Sequence, residues 1–183
     1  MKQEMYIDCR MSGSKQDSVR IIAVVDNQND QVIISKTLPY LPPKDQYKDK
    51  SPEVIAKMKE IERNTVVVVD NSSAFKKWDM HFVENDHLEE AIKAYYSLMR
   101  THRLKLSNDV RQTCDPENII EIRKTDLRGN VYELNSDDVS NSHYAVLAIC
   151  WSVIKVRNTA MINSIEEEPT QHDIDTFSVP FCI

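Results

Sequence analysis

Val66-Val-Val-Val-Asp-Asn-Ser-Ser73 reads as a strand that stops in a turn. Four β-branched valines favour extended backbone, and no polar residue interrupts them. With both faces apolar, the strand must be covered on both sides, as the inner strands of parallel or mixed sheets are. Asp70, Asn71, Ser72 and Ser73 then supply turn chemistry. A strand of this kind calls for helices on both faces of the sheet, which is an α/β architecture.

Toward the N-terminus, Met5-Tyr-Ile-Asp-Cys9 is a first strand, and Gly13 with its polar neighbours is a turn. Ser18-Val-Arg-Ile-Ile-Ala-Val-Val25 is a second strand, Asp26-Asn-Gln-Asn-Asp30 a second turn, and Val32 to Thr37 a third strand. Together they predict an antiparallel meander. Pro39 to Ser51 is a loop, and Pro52 suits the first turn of a helix ending near Arg63.

Toward the C-terminus, Leu88, Ile92, Tyr95, Tyr96 and Met99 recur at helical spacing and predict a helix from His87 to about Thr101. Leu104-Lys-Leu106 is a brief extended piece, and Ser107 to Thr113 a short helix. Strands follow at Ile119 to Lys124 and Val131 to Leu134, joined through Arg128-Gly129-Asn130. Ser136-Asp137-Asp138 is expected to cap a last long helix with Tyr144, Leu147, Ala148, Trp151 and Ile154 as its core stripe. The expected organisation is one domain over 1–158 and an acidic, disordered tail over 159–183, with an apolar tip from Phe177 to Ile183.

Composition excludes several functions. There are two glycines, Gly13 and Gly129, so neither a Walker A loop nor a dinucleotide-binding glycine motif can form. The four cysteines include no C-x-x-C pair and read as reduced thiols of an intracellular protein. The histidines lack H-x-x-x-H or H-E-x-x-H spacing, which argues against zinc, and Ser72-Ser73 lacks the glycines of a nucleophile elbow. The apolar run from Ala145 to Val156 is broken by Ser152 and Lys155 and is too short for a membrane span. The net charge of −6 overstates the acidity of the body, because Glu166, Glu167, Glu168, Asp173 and Asp175 all follow the last base, Arg157. Without those five, the 29 acids fall to 24 against 23 bases, so a polyanionic partner is not excluded.

Three acidic positions stand apart by their location: Asp8 on the first strand, Asp70 ending the valine strand, and the pair Asp137-Asp138 ahead of the last helix. Aspartate is depleted in strands, and carboxylates at strand ends and helix starts can converge on hard divalent cations. Taken singly, each is an ordinary turn or cap residue. Their order along the alternating elements is that of a ribonuclease-H-like mixed sheet, an antiparallel meander plus parallel strands flanked by helices.

Tyr6-Ile-Asp-Cys-Arg-Met-Ser-Gly-Ser-Lys-Gln-Asp17, followed by the strand to Val25, resembles the opening of the nuclease domain of viral terminase large subunits. Val66 to Ser72 is similar to that family's second acidic strand. The helix from His87 into His102-Arg-Leu-Lys-Leu106 resembles its helix and short arginine-leucine strand, and Ser136-Asp-Asp-Val139 before Ala145 to Ile149 resembles its ending. The resemblance spans residues 5 to 157 through short, degenerate motifs.

It implies an endonuclease using two Mg²⁺ or Mn²⁺ ions to cut concatemeric double-stranded viral DNA during genome packaging, inside an infected host cell, in its cytoplasm or nucleus. Asp8, Asp70 and Asp137 or Asp138 would be the ligands, with Asp17 a weaker one. The partners implied are an ATPase motor subunit or domain, a small subunit and a portal. Two departures count against it. The ATPase half is not in this sequence, and Ser140-Asn-Ser-His143 intervenes between the acidic pair and the apolar helix. His143 is read as solvent-facing, with a ligand role the lesser alternative.

Lys76-Lys77-Trp78 joins two cations to an aromatic that can stack on a base. Arg100, Arg103 and Lys105, with Lys93, can make a phosphate-facing ridge beside the acids, although a solvated helix face explains them equally well. The alternatives to the nuclease are a non-cutting ribonuclease-H-like module that binds DNA or protein, and a junction-resolvase-like nuclease.

Overall fold

The computed structural model describes residues 4–12, 18–41, 47–126, 129–135 and 137–165. Strands β1 (Glu4–Met11), β2 (Val19–Asp26) and β3 (Gln31–Pro39) form the expected meander. The β2–β3 turn is fixed by Asp26, whose Oδ1 accepts from the Gln28 backbone N–H at 2.9 Å. Asp30 closes that turn at φ 54°, a left-handed conformation that aspartate tolerates. Helix α1 (Pro52–Arg63) starts at Ser51, whose hydroxyl accepts from the Val54 N–H, with proline in the first turn.

The valine strand β4 (Thr65–Val69) pairs parallel with β1, Val67 beside Asp8 and Val69 beside Arg10. Its other neighbour is β5 (Met80–His81), also parallel. Helix α2 (Glu84–Arg100) leads to β6 (Leu104–Leu106), which pairs parallel with β3. The sheet order is therefore β5-β4-β1-β2-β3-β6. After α3 (Asn108–Cys114) and a 3₁₀ turn at Pro116–Asn118, β7 (Ile120–Asp126) and β8 (Gly129–Leu134) make a separate two-stranded sheet, and α4 (Asn141–Ile165) follows.

Strand alternation sorts the main sheet's side chains. On one face lie Ile7, Cys9 and Met11 of β1 and Ile21, Ala23 and Val25 of β2, all buried, with Ala23 across from Ile7 and Ile21 across from Cys9. Val32, Ile34 and Val68 are buried as well, as are Ala91, Ile92, Tyr95 and Leu98 of α2. Phe82 meets Trp151 of α4 edge-on, and the Trp151 indole donates to Glu90 of α2 at 3.1 Å. The opposite face is thinner. Helix α1 has no buried residue, and a small cluster of Val67, Val69 and Phe75, with Tyr40 against it, occupies that side.

Several elements differ from the sequence reading. Helix α2 begins at Glu84, ahead of the expected His87, and α4 begins at Asn141, beyond the aspartates expected to cap it. The stripe expected on α4 is instead burial all round, with each residue from Ala145 to Cys150 at 0% exposure. Gly129 and Asn130, expected in a turn, lie in β8. The chain divides within α4 into two compact units, Met1–Ser152 and Val153–Ile183. Helix α4 continues to Ile165, past the boundary expected at 158. The expected tail from 166 onward lies outside the described residues, as do Asp17 and Arg128. Among the described residues Cys9, Cys114 and Cys150 are free and buried, and no helix is long and apolar enough to cross a membrane.

The buried face of α2 carries a testable consequence. Ile92→Ala is expected to cost about 2–5 kcal/mol of unfolding free energy in urea titration. Val54→Ala on the exposed side of α1 is expected to stay within about 0.5 kcal/mol of the native chain.

Candidate functional site

Asp8 lies in the middle of β1, and its side chain is 1% exposed. Period two puts it on the face that Arg10 shares, and the antiparallel register sets Arg20 directly across from Arg10. Both guanidiniums therefore reach one carboxylate. Arg10 donates Nε and Nη2 to Oδ2 at 3.0 and 2.7 Å. Arg20 donates Nε to Oδ1 at 2.8 Å and Nη2 to Oδ2 at 2.9 Å. Without Asp8, two like charges would face each other across the strand pair, which is destabilising.

Asp70 follows the last residue of β4. By parity it belongs with Met11 and Val68, on the face away from Asp8. Its oxygens each accept from the Ser12 backbone N–H at 2.8 Å, and Oδ2 also accepts from the Ser12 hydroxyl at 2.7 Å. A cavity of about 480 Å³ opens beside it, lined also by Met11, His81, Glu84, Asn141 and Tyr144. His81 Nε2 lies 2.9 Å from the Asp70 carbonyl oxygen, and the Tyr144 hydroxyl donates to Glu84 at 2.7 Å. Burial, followed by that bond to Glu84, pushes the Tyr144 hydroxyl up. Cys9, next to Asp8 on β1, is pushed well up by burial and then by the charges of Asp8 and Asp70.

Glu84 was not read as a site residue because it precedes the apolar periodicity of α2. The signal available was a pair of acids, Glu84 and Asp86, just ahead of the apolar periodicity, where a helix's first turn favours negative charge.

Asp137 and Asp138 are exposed and precede α4. The Asp137 N–H donates to the Asn135 side chain at 3.1 Å, and Asp138 N–H to the Asn135 carbonyl at 3.4 Å. Ser140 takes the capping position instead. Its N–H donates to Nδ1 of His143 at 3.1 Å, and its hydroxyl lies 2.8 Å from the same nitrogen. This is one half of a capping box, the third helical residue reaching back to the cap N–H, with histidine in place of the usual Glu or Gln. His143, expected in solvent, is 7% exposed. The inserted Ser140 to His143 segment is thus the start of the helix itself.

The basic residues do not form one ridge beside the acids. Lys76 and Lys77 are exposed in the segment between β4 and β5, and Trp78, 43% exposed, leans on His81 with ring centroids 5.9 Å apart. Lys105 is on β6, four strand spacings from β4, or roughly 19 Å. Arg103 is paired with Asp30 at 2.7 Å. Arg100 borders a surface hollow with Tyr96, Met99, Ile122 and Tyr132. Of the residues that could have made a ridge, Lys105 is carried by β6 to the far edge of the sheet, while Arg100 ends α2.

No protein-family model matches this chain, and no curated protein matches its sequence. Among solved structures, the large terminase nuclease from thermophilic phage G20c, crystallised with bound magnesium, superposes with a TM-score of 0.50 at 16% identity, covering 81% of each chain. The fold is that of a large terminase nuclease. The same phage nuclease with bound cobalt gives a TM-score of 0.49 at 14% identity over the same shares.

A divalent ion on the terminase-nuclease fold would need oxygen ligands converging from several elements. Among the described residues, no group of three or more His, Cys, Asp or Glu side chains is placed to hold a metal. Asp8 is engaged by two arginines, and Asp70, on the other face by parity, is engaged by Ser12. As arranged here, the acids do not fit a cation.

The His143 cap makes stability depend on pH. Burial lowers the ring below its ordinary value of 6.5, while the charges of Asp115 and Asp138 pull it back upward. The fold uses neutral Nδ1 as an acceptor, so the unfolded chain binds the proton more readily. Stability is whole above pH 6.5 and falls as pH drops from there through the lower folded value. His143→Gln, which keeps an acceptor at the cap, is expected to flatten this part of the pH profile in thermal unfolding. A slope unchanged by the substitution would assign it to other groups.

Proposed function

We propose that this chain is a divalent-metal-dependent DNA endonuclease of the terminase type. The observation that carries the reading is topological. An acid sits in the middle of the meander's first strand, and a second acid follows the end of that strand's parallel neighbour, within the fold that the G20c nuclease also has. The proposed ligand set is Asp8, Asp70 and Asp137 or Asp138, with Asp17 subsidiary, and the proposed ions are two Mg²⁺ or Mn²⁺. The substrate is double-stranded DNA, the reaction is phosphodiester hydrolysis, and the setting is genome packaging beside a motor and portal in an infected cell. The reading requires Asp8 to leave its arginine partners and the acids to converge on one side of the sheet, because Asp8 is engaged by Arg10 and Arg20 and faces away from Asp70.

A second reading has a specific observation behind it. Asp8 bound on both oxygens by Arg10 and Arg20 is a structural ion pair, and a chain that keeps it so is a non-cutting nucleic-acid-binding module.

Supercoiled plasmid incubated with Mg²⁺ or Mn²⁺ separates the two. Cation-dependent nicking by the native chain, lost in Asp8→Asn and in Asp70→Asn, is the expected outcome. A native chain that does not cut, or variants that cut as well as it does, would sink the nuclease and leave the binding module.

A further inference from the structure

The Asp8 face of the sheet encloses a second cavity, of about 320 Å³, between the strands and α1. Its apolar wall is made by Ile22, Val67, Met58 and Ile61, and its charged groups are Asp8, Arg10, Arg20, Glu62 and Lys77. That is three cations against two acids. Glu62 accepts from the Tyr47 hydroxyl at 2.7 Å, and Tyr47 also lines the cavity. Among the described residues, one carboxylate serves both guanidiniums, each of which is only 15% exposed. Arginine keeps its charge at any ordinary pH, so this half-buried triad holds a surplus positive charge in a medium that stabilises it poorly. The bonds to Asp8 use Nε and Nη2 of each arginine, which leaves both Nη1 groups outside them.

We infer that this cavity binds a phosphate group. Guanidinium forks match phosphate oxygens, and Lys77 adds a point charge to the cavity lining. The volume is at the small end for ligand sites, which fits a single phosphate with its sugar and not a length of duplex. Asp8 is then the competitor of the incoming phosphate, since both address the same two guanidiniums. The ligand is a phosphomonoester, either a free nucleotide or the phosphorylated end of a strand. The inference does not depend on the chain cutting DNA.

Isothermal titration calorimetry on the full chain tests it, with inorganic phosphate, a deoxynucleoside monophosphate, and a short duplex with and without a 5′-phosphate. Saturable binding of phosphate and of the nucleotide is expected. Lys77→Met is expected to weaken it about threefold to fivefold, the worth of one partly screened ion pair. Asp8→Asn is expected to tighten it, by removing the resident anion while keeping an acceptor oxygen. Preference for the phosphorylated duplex over the unphosphorylated one would identify a strand end as the source. Binding of the free nucleotide alone would identify the nucleotide. No saturable binding by the native chain overturns the site, as does equal affinity in native, Lys77→Met and Asp8→Asn chains. Should circular dichroism show Asp8→Asn unfolded, the Lys77→Met comparison decides. Loss of cutting in Asp8→Asn alongside tighter phosphate binding keeps the two proposals separate.

Discussion

β1 has two neighbours, one antiparallel and one parallel, and a strand turns its side chains to alternate faces. From these two constraints most of the molecule follows. Ile7, Cys9 and Met11 must go to one face together, and the partners that β2 sets across from them make a continuous apolar layer. Tyr6, Asp8 and Arg10 must go to the other. A carboxylate on that second face, covered by α1 and the adjoining loops, is far from bulk water and needs compensation. The register supplies it from the two positions that can reach, one two residues along β1 and one diagonal on β2.

The same parity bears on the functional site. Asp8 and Asp70 lie on hydrogen-bonded neighbouring strands, yet parity sends their side chains to opposite faces. The larger cavity gathers Asp70, Glu84, Asn141 and Tyr144 from a strand end and two helix starts, while Asp8 faces the smaller, cation-rich one. The protein thus has two chemically different hollows on either side of one strand pair: one with acids and a tyrosine hydroxyl, the other with three cations against two acids.

How much of this could be read from the sequence depended on the range of the interactions involved. The meander was legible because its strands are apolar and the segment between β2 and β3, Asp26 to Asp30, is all Asp, Asn and Gln. The valine strand was legible because four β-branched residues in a row leave little choice. β5 was not, since it is two residues long and is held by main-chain bonds: Asp79 N–H to the Val67 carbonyl and Phe82 N–H to the Val69 carbonyl, both 2.8 Å. The acids were visible as acids, but the partners of Asp8 were not. Arg20 becomes its neighbour only once the β1–β2 register is known. The start of α4 was misplaced for a related reason. An acidic pair is a strong local cap signal, whereas Ser140 with His143 at the third position departs from the usual Glu or Gln pattern.

The two ends of the main sheet have a bearing on how the molecule behaves in a crowd. β5 offers two residues at one border and β6 three at the other. Long unsatisfied borders are where sheets recruit foreign strands, and short ones give such recruitment little purchase. The run of β1, β2 and β3, of eight or nine residues each, is flanked by shorter strands, β4 on one side and β6 on the other. The two end strands themselves therefore give another chain little backbone to pair with.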